Sequence, residues 1–478
     1  TFFTLCEEFL AKHKKKVLFA VLGLYVLITL FLQWRHPVDG DEGQAWLIAR
    51  DTSSLKEMYS LMGYEGSPAL WHTLLRPLTL AGLPFQVIYV LNHLFVIVAL
   101  FIWLRWAPFP LIIRILLPFT YVFLTEYSVN ARSYALSACL LFTALALYRN
   151  YHHKWVLWAF TFFLLANSNF HSTIICGGFV LFLFVNWFFS KSKTDIKAAL
   201  LISAGILLAV LQVLPPPDLE PRLGGIRLRV SPELVTTSVA TGIPALSTII
   251  YLALLIQVSV TIRRKAVLFA LISTQLVFLF FFVFVHTGGV RHHFFLFLSI
   301  IMCLWLNDLK ERYKPALGLF LFIILSMMTT TSVSIIARRV RFEHNHKKEI
   351  TDYIKNEIKL DPTDFMACHP DNVAAGILPK LAYKQFFMPD IIRWGSYIIW
   401  NNQRKSSLFD NDILANVANL PRNHQGYQRY YYLTIYKLPA DSASYPVKLL
   451  KQATSQYLEN AVNNWHTYYL YEIGNKDY

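Results

Sequence analysis

The stretch Val38-Asp39-Gly40-Asp41-Glu42-Gly43-Gln44-Ala45-Trp46 crowds three carboxylates directly behind the first long apolar run of the chain. Carboxylates are costly inside hydrocarbon, so these belong at the border where water meets lipid headgroups. Carboxylate beside carboxylate can deprotonate an acceptor hydroxyl when one member is crowded or desolvated. A plainer role is equally open, that of a solvated acidic loop whose side chain caps the next helix. The choice depends on what the rest of the chain brings to the same side.

The elements that would position these residues read as membrane helices. The chain has 478 residues, of which 55% are hydrophobic and 15% aromatic, and several runs approach the ~20 apolar residues of a spanning helix. A formal charge of +15 suits nucleic acid at first sight, but much of the basic charge lies in short clusters between apolar runs. Such clusters set the orientation of a polytopic protein, and no nucleic-acid partner is expected. Five scattered cysteines make no CxxC pair and no disulfide framework. The first apolar run carries basic flanks and no small-residue cleavage site, so no cleavable leader is expected.

Lys12-His13-Lys14-Lys15-Lys16 precedes the first run and places the N-terminus in the cytoplasm. Threaded from there, the chain makes about eleven crossings. Phe85 to Trp103, Pro110 to Leu124, Ala135 to Leu147 and Ala316 to Ile336 are among them. Between the first crossings, 35–84 forms an outer loop with an amphipathic part that suits the interface. Basic clusters collect on one face. The other face gathers Asp39, Asp41, Glu42, Glu126, Arg132, His171, Arg222, Arg291 and His292. Arg227 and Arg229 join Arg222 in a long proline-led loop, and Tyr134 follows Arg132. Arginine forks bind phosphate through charge-assisted hydrogen bonds. An acidic base, phosphate-binding arginines and a membrane together point to glycosyl transfer from a lipid-phosphate sugar.

Residues 1–337 thus read as a transmembrane domain and 338–478 as a small α/β domain on the extracytoplasmic side. In the latter, 347–359 is predicted helical, 365–368 and 396–400 are predicted strands, and 430–436 and 465–471 are stronger strand candidates from their aromatic and β-branched content. His369-Pro370-Asp371 reads as a turn.

The chain resembles the GT-C type of membrane glycosyltransferase, in particular its protein mannosyltransferase and aminoarabinose transferase branch. The resemblance lies in Asp41-Glu42, in Ser67-Pro68-Ala69-Leu70-Trp71 and in Asn130-Ala131-Arg132-Ser133-Tyr134-Ala135-Leu136, with His171 and Arg291-His292 at helix ends. It spans roughly the first two-thirds of the chain. It implies inverting transfer from a polyprenyl- or dolichyl-phosphate sugar to a hydroxyl of a glycan, lipid or protein. Asp41 would then be the base, Glu42 would orient it or contact the acceptor, and Asp39 would be the spare. Arg132 and Arg291 would hold the donor phosphate, aided by Arg222, Arg227 or Arg229. Two departures stand out: relatives have Pro-Pro near Pro68, and Glu where this chain has Asn130, for which Glu126 would compensate.

No cofactor is required on this reading, although Mg²⁺ or Mn²⁺ at Asp39 and Asp41 is compatible with a phosphate donor. The implied location is a cell inner or plasma membrane, or the ER membrane of a eukaryote. Two rivals remain. A transporter or flippase of lipid-linked sugars would place its functional charges near span centres, and a non-catalytic scaffold would tolerate Asp41→Asn.

Overall fold

The structure is a computed structural model. It describes residues 12–220, 244–307, 315–341, 346–381, 385–404, 413–438, 447–455 and 467–474. The sequence-predicted site residues Arg222, Arg227 and Arg229 lie outside them.

Among the described residues, six helical segments are long and apolar enough to cross a membrane: Lys14–Trp34, Val87–Trp106, Phe170–Ser190, Lys193–Gln212, Lys265–Val285 and Ala316–Ala337. Trp155–Ala166, Ile249–Thr261 and Val290–Leu306 are shorter apolar helices. The chain is a multi-pass membrane protein. In chain order the helices used below are α1 (Lys14–Trp34), α2 (Gly40–Asp51), α3 (Leu70–Leu80), α4 (Val87–Trp106), α5 (Ser133–Asn150), α6 (Phe170–Ser190) and α7 (Val290–Leu306). Large apolar side chains such as Phe19, Leu27 and Val90 face outward, as a lipid solvent requires. The interior is close-packed around the buried Trp103, Phe142 and Trp305, whose rings meet at 5.2–6.0 Å.

The expected crossing over 110–124 is broken. A helix covers Leu111–Leu116, a 3₁₀ turn follows over Leu117–Phe119, and a π-helical turn runs over Val122–Tyr127. Pro118 inside this run cannot donate to the helical ladder, which accounts for the break.

Residues beyond α7 lead through the helix Pro315–Arg341 into a six-stranded sheet. Its strands are β1 (Asp364–His369), β2 (Phe386–Met388), β3 (Arg393–Gly395), β4 (Arg429–Thr434), β5 (Val447–Thr454) and β6 (Thr467–Ile473), in spatial order β3-β2-β1-β4-β6-β5. The central β1 is parallel to β2 and β4 and buried along its whole length, as a strand covered on both faces must be. The helices α8 (His346–Tyr353) and α9 (Asn372–Ile377) belong to this domain. The predicted strand over 396–400 is not formed. Its Ile398 N–H and C=O are instead taken by the Gln44 side chain, at 2.9 Å each, so this segment docks on α2 rather than extending the sheet.

Helix α2 was expected along the membrane interface, yet it is buried from Glu42 to Ala49. Leu47 enters a cluster with Ile350, Val373 and Ile377 of the C-terminal domain. Trp46 and Ala49 pack with Trp71, Leu75 and Phe85, and Ile48 with Met58 and Met62. Each large aliphatic side chain so buried contributes about 1.5–3 kcal/mol. Gly43 allows the closest approach: a Cβ there would stand 1.7 Å from the Ala375 carbonyl oxygen.

Candidate active site

Asp39-Gly40-Asp41-Glu42 folds as a reciprocal capping box. The Asp39 carboxylate accepts from the Asp41 N–H at 3.1 Å, and the Glu42 carboxylate accepts from the Asp39 N–H at 2.9 Å. Asp39 is therefore the cap and Glu42 its partner. Glu42 is completely buried and also meets His36 Nε2 at 3.1 Å, the Tyr89 hydroxyl at 3.2 Å and the Ala131 N–H at 2.6 Å. Its oxygens are taken up by protein groups, which makes it a brace and leaves no face for an acceptor.

Asp41, with its side chain 47% exposed, is the reachable carboxylate. Arg291 Nη2 lies 2.8 Å from its Oδ2, and Arg132 Nη1 lies 3.4 Å from the same oxygen and donates to the Asp41 carbonyl at 2.9 Å. Arg291 also reaches Asp39 at 3.6 Å. Burial pushes the Asp39 carboxyl up, but Arg291, Lys347, the Asp41 N–H and Arg132 together hold it below its ordinary value. Asp39, Asp41 and Glu42 thus face Arg132, Arg291 and Lys347, and the two guanidinium forks are of the type that suits a phosphate.

Around Arg291 the aromatic groups are ordered by hydrogen bonds. Its main-chain carbonyl accepts from the Tyr127 hydroxyl at 3.1 Å, and its guanidinium lies 5.7 Å from the centre of the Tyr134 ring. His292 Nδ1 accepts from the Gly289 N–H at 2.9 Å, so its ring proton sits on Nε2 and is donated to the Tyr134 oxygen at 2.7 Å. The Tyr134 proton remains for a third group. His171 stacks 5.0 Å from His292, and its Nε2 is buried without a hydrogen-bond partner among the described residues. Glu126 accepts from Tyr121 at 2.8 Å and from Asn130 at 2.9 Å, so Asn130 and the carboxylate expected to compensate for it touch each other.

Two residues of this neighbourhood escaped the sequence reading. Glu65 accepts from Gln44 at 2.9 Å. Burial raises its pKa to about 6, with Gln44 and Arg132 opposing the rise and Asp41 adding to it. Its place next to Gly66-Ser67-Pro68 was the available signal. Lys347, from α8, donates to the Val38 carbonyl at 2.7 Å, and burial lowers its pKa against the pull of Asp39, Glu42 and Asp41. It carries no motif by which sequence alone would single it out.

Among the described residues, no group of three or more His, Cys, Asp and Glu side chains is arranged to hold a metal ion. At Asp39 and Asp41 a divalent cation would have to compete with Arg291 for the same oxygens.

The chain is similar to a solved structure over nearly its whole length. ArnT from Cupriavidus metallidurans, bound to undecaprenyl phosphate, superposes with a TM-score of 0.52 over 95% of this chain and 97% of that one, at 10% identity. The fold is GT-C-like. No family model matches the chain, and no curated protein matches it in sequence. The shared architecture therefore includes the helical membrane part and the small C-terminal sheet domain alike.

Proposed function

We propose that the chain transfers a sugar from a polyprenyl-phosphate donor to an acceptor hydroxyl at the extracytoplasmic membrane face. The observation that carries this reading is the exposed Asp41 carboxylate set between Arg132 and Arg291, in a fold whose solved counterpart was bound to undecaprenyl phosphate.

In the proposed step, Asp41 accepts the proton of the acceptor hydroxyl while the acceptor oxygen bonds to the anomeric carbon from the face opposite the phosphate. The bond from that carbon to the phosphate oxygen breaks and its electron pair leaves with the polyprenyl phosphate, so the anomeric centre inverts. On this reading Arg132 and Arg291 neutralise the charge that grows on the leaving phosphate, and the Tyr134 hydroxyl, which keeps its own proton, donates to it. A divalent cation is not needed for this balance, because the guanidiniums supply the positive charge. Glycan, lipid and protein hydroxyls are all compatible acceptors.

The test is transfer in a defined membrane preparation, with wild type and Asp41→Asn given labelled polyprenyl-phosphate sugars and native membrane extract. Consumption of one donor by wild type and not by an equally folded variant supports the reading. Equal consumption by both removes Asp41 as the base. A donor that crosses the bilayer unconsumed favours a transporter.

A further inference from the structure

A cavity of about 520 Å³ lies between α2, the Gly82–Gln86 loop that leads into α4, and the C-terminal domain. It does not belong to the Asp41 site. Its lining on α2 begins at Trp46, five residues past Asp41, which is roughly 140° round the helix at about 100° per residue. Trp46, Phe85 and Pro379 form apolar walls, and Arg50, Lys355 and Lys380 bring cations from three separate elements.

These cations are not equally satisfied. Arg50 is forked on Asp51 at 2.7 and 2.9 Å. Among the described residues neither Lys355 nor Lys380 has an ion pair or side-chain hydrogen bond. Burial and then the charge of Lys355 lower the pKa of Lys380, against the pull of Asp352. Asp352 is itself engaged by Lys348 at 2.8 Å. Two unneutralised ammonium groups sharing one cavity call for an anion. The cavity also has an apolar side. Leu83 on its rim is 42% exposed, neighbouring Leu80 is 68% exposed, and Val90 and Leu94 continue an outward apolar strip along α4.

The geometry points to this cavity as a binding site for a phosphate-bearing anionic lipid, with the headgroup between Lys355 and Lys380 and its chains leaving past Leu83. A phosphate ester satisfies both lysines, and the apolar strip explains why a lipid fits better than a free anion. Such a lipid would join the C-terminal domain to the membrane at the level where α3 passes into α4.

Binding is read without turnover, so this inference and the proposed transfer stand or fall separately. The full chain in neutral detergent is titrated with phosphatidylglycerol, phosphatidylcholine or inorganic phosphate, and bound lipid is counted by native mass spectrometry alongside thermal unfolding. Expected is a preference for phosphatidylglycerol over phosphatidylcholine of roughly tenfold or more, at about 1 kcal/mol per lysine. That preference should be lost in Lys355→Gln/Lys380→Gln and kept in Lys355→Arg/Lys380→Arg. Should the glutamine pair fail to fold, Lys355→Gln at its exposed position must still weaken the preference. Equal binding of both lipids by wild type, or a preference that survives these glutamine changes, overturns the site. Saturation by inorganic phosphate with no further gain from lipid overturns its assignment to a lipid.

Discussion

The Ala131 N–H lies 2.6 Å from Glu42 Oε1, and this one bond ties the first turn of α2 to the loop that carries Arg132. The base and one phosphate-binding arginine therefore share a buried brace. Replacing Glu42 by Gln puts an amide N–H₂ among donors, leaving buried groups unsatisfied at about 1–3 kcal/mol each. Glu42→Gln should lower the unfolding temperature and transfer together. Asp41→Asn, on an exposed side chain, should abolish transfer and leave the unfolding temperature near that of wild type. Thermal unfolding of both purified variants checks the contrast, and a Glu42→Gln protein as stable as wild type would remove the brace.

Arg291 contacts Asp41 and Asp39 through different nitrogens of one planar fork. Lysine keeps the charge and loses the fork. Arg291→Lys should raise the donor KM by about tenfold or more, corresponding to one charge-assisted hydrogen bond. Steady-state kinetics with the donor varied measure this, and an unchanged KM would show that Arg291 serves Asp41 alone.

Glu65 makes stability depend on pH in an unusual direction for a carboxylate. Its folded pKa of about 6 lies above that of the unfolded chain. Between those two values the folded chain binds more protons, so its contribution to stability is lost as pH rises through the window. Glu65→Gln should flatten the unfolding temperature between pH 4.5 and 6.5, as checked by thermal scans in detergent. A wild-type curve that rises across this range would contradict the assignment.

Chelation tests the charge balance at the phosphate. With Arg132 and Arg291 in place, transfer should survive excess EDTA unchanged. Loss of activity that Mg²⁺ or Mn²⁺ restores would return Asp39 and Asp41 to the role of metal ligands.

The alternation of basic clusters and chemically rich loops assigned Asp41, Arg132 and Arg291 to one face, and these three side chains do meet. Contacts were another matter. Asp41 and Arg291 are 250 positions apart, and only the tertiary fold brings them to 2.8 Å. Glu42 looked like an active-site acid because its partners include the backbone N–H groups of Asp39 and Ala131, which leave no mark in residue types. The aromatic and β-branched content of 396–400 suggested a strand, whereas Gln44 supplied the hydrogen bonds that an adjacent strand would have given. Lys347 was legible only as a helix residue, since its target is the carbonyl of Val38.

Gly43 faces the Ala375 carbonyl with no side chain between them, and Leu47 one turn later is sunk in the core of the C-terminal domain. A seam so close has no play. The helix that carries Asp41 is thus fastened to the C-terminal domain by direct backbone approach as well as by a shared core. Loss of the C-terminal domain would likewise do more than remove a cover: it would strip away one wall of the helix that positions the base.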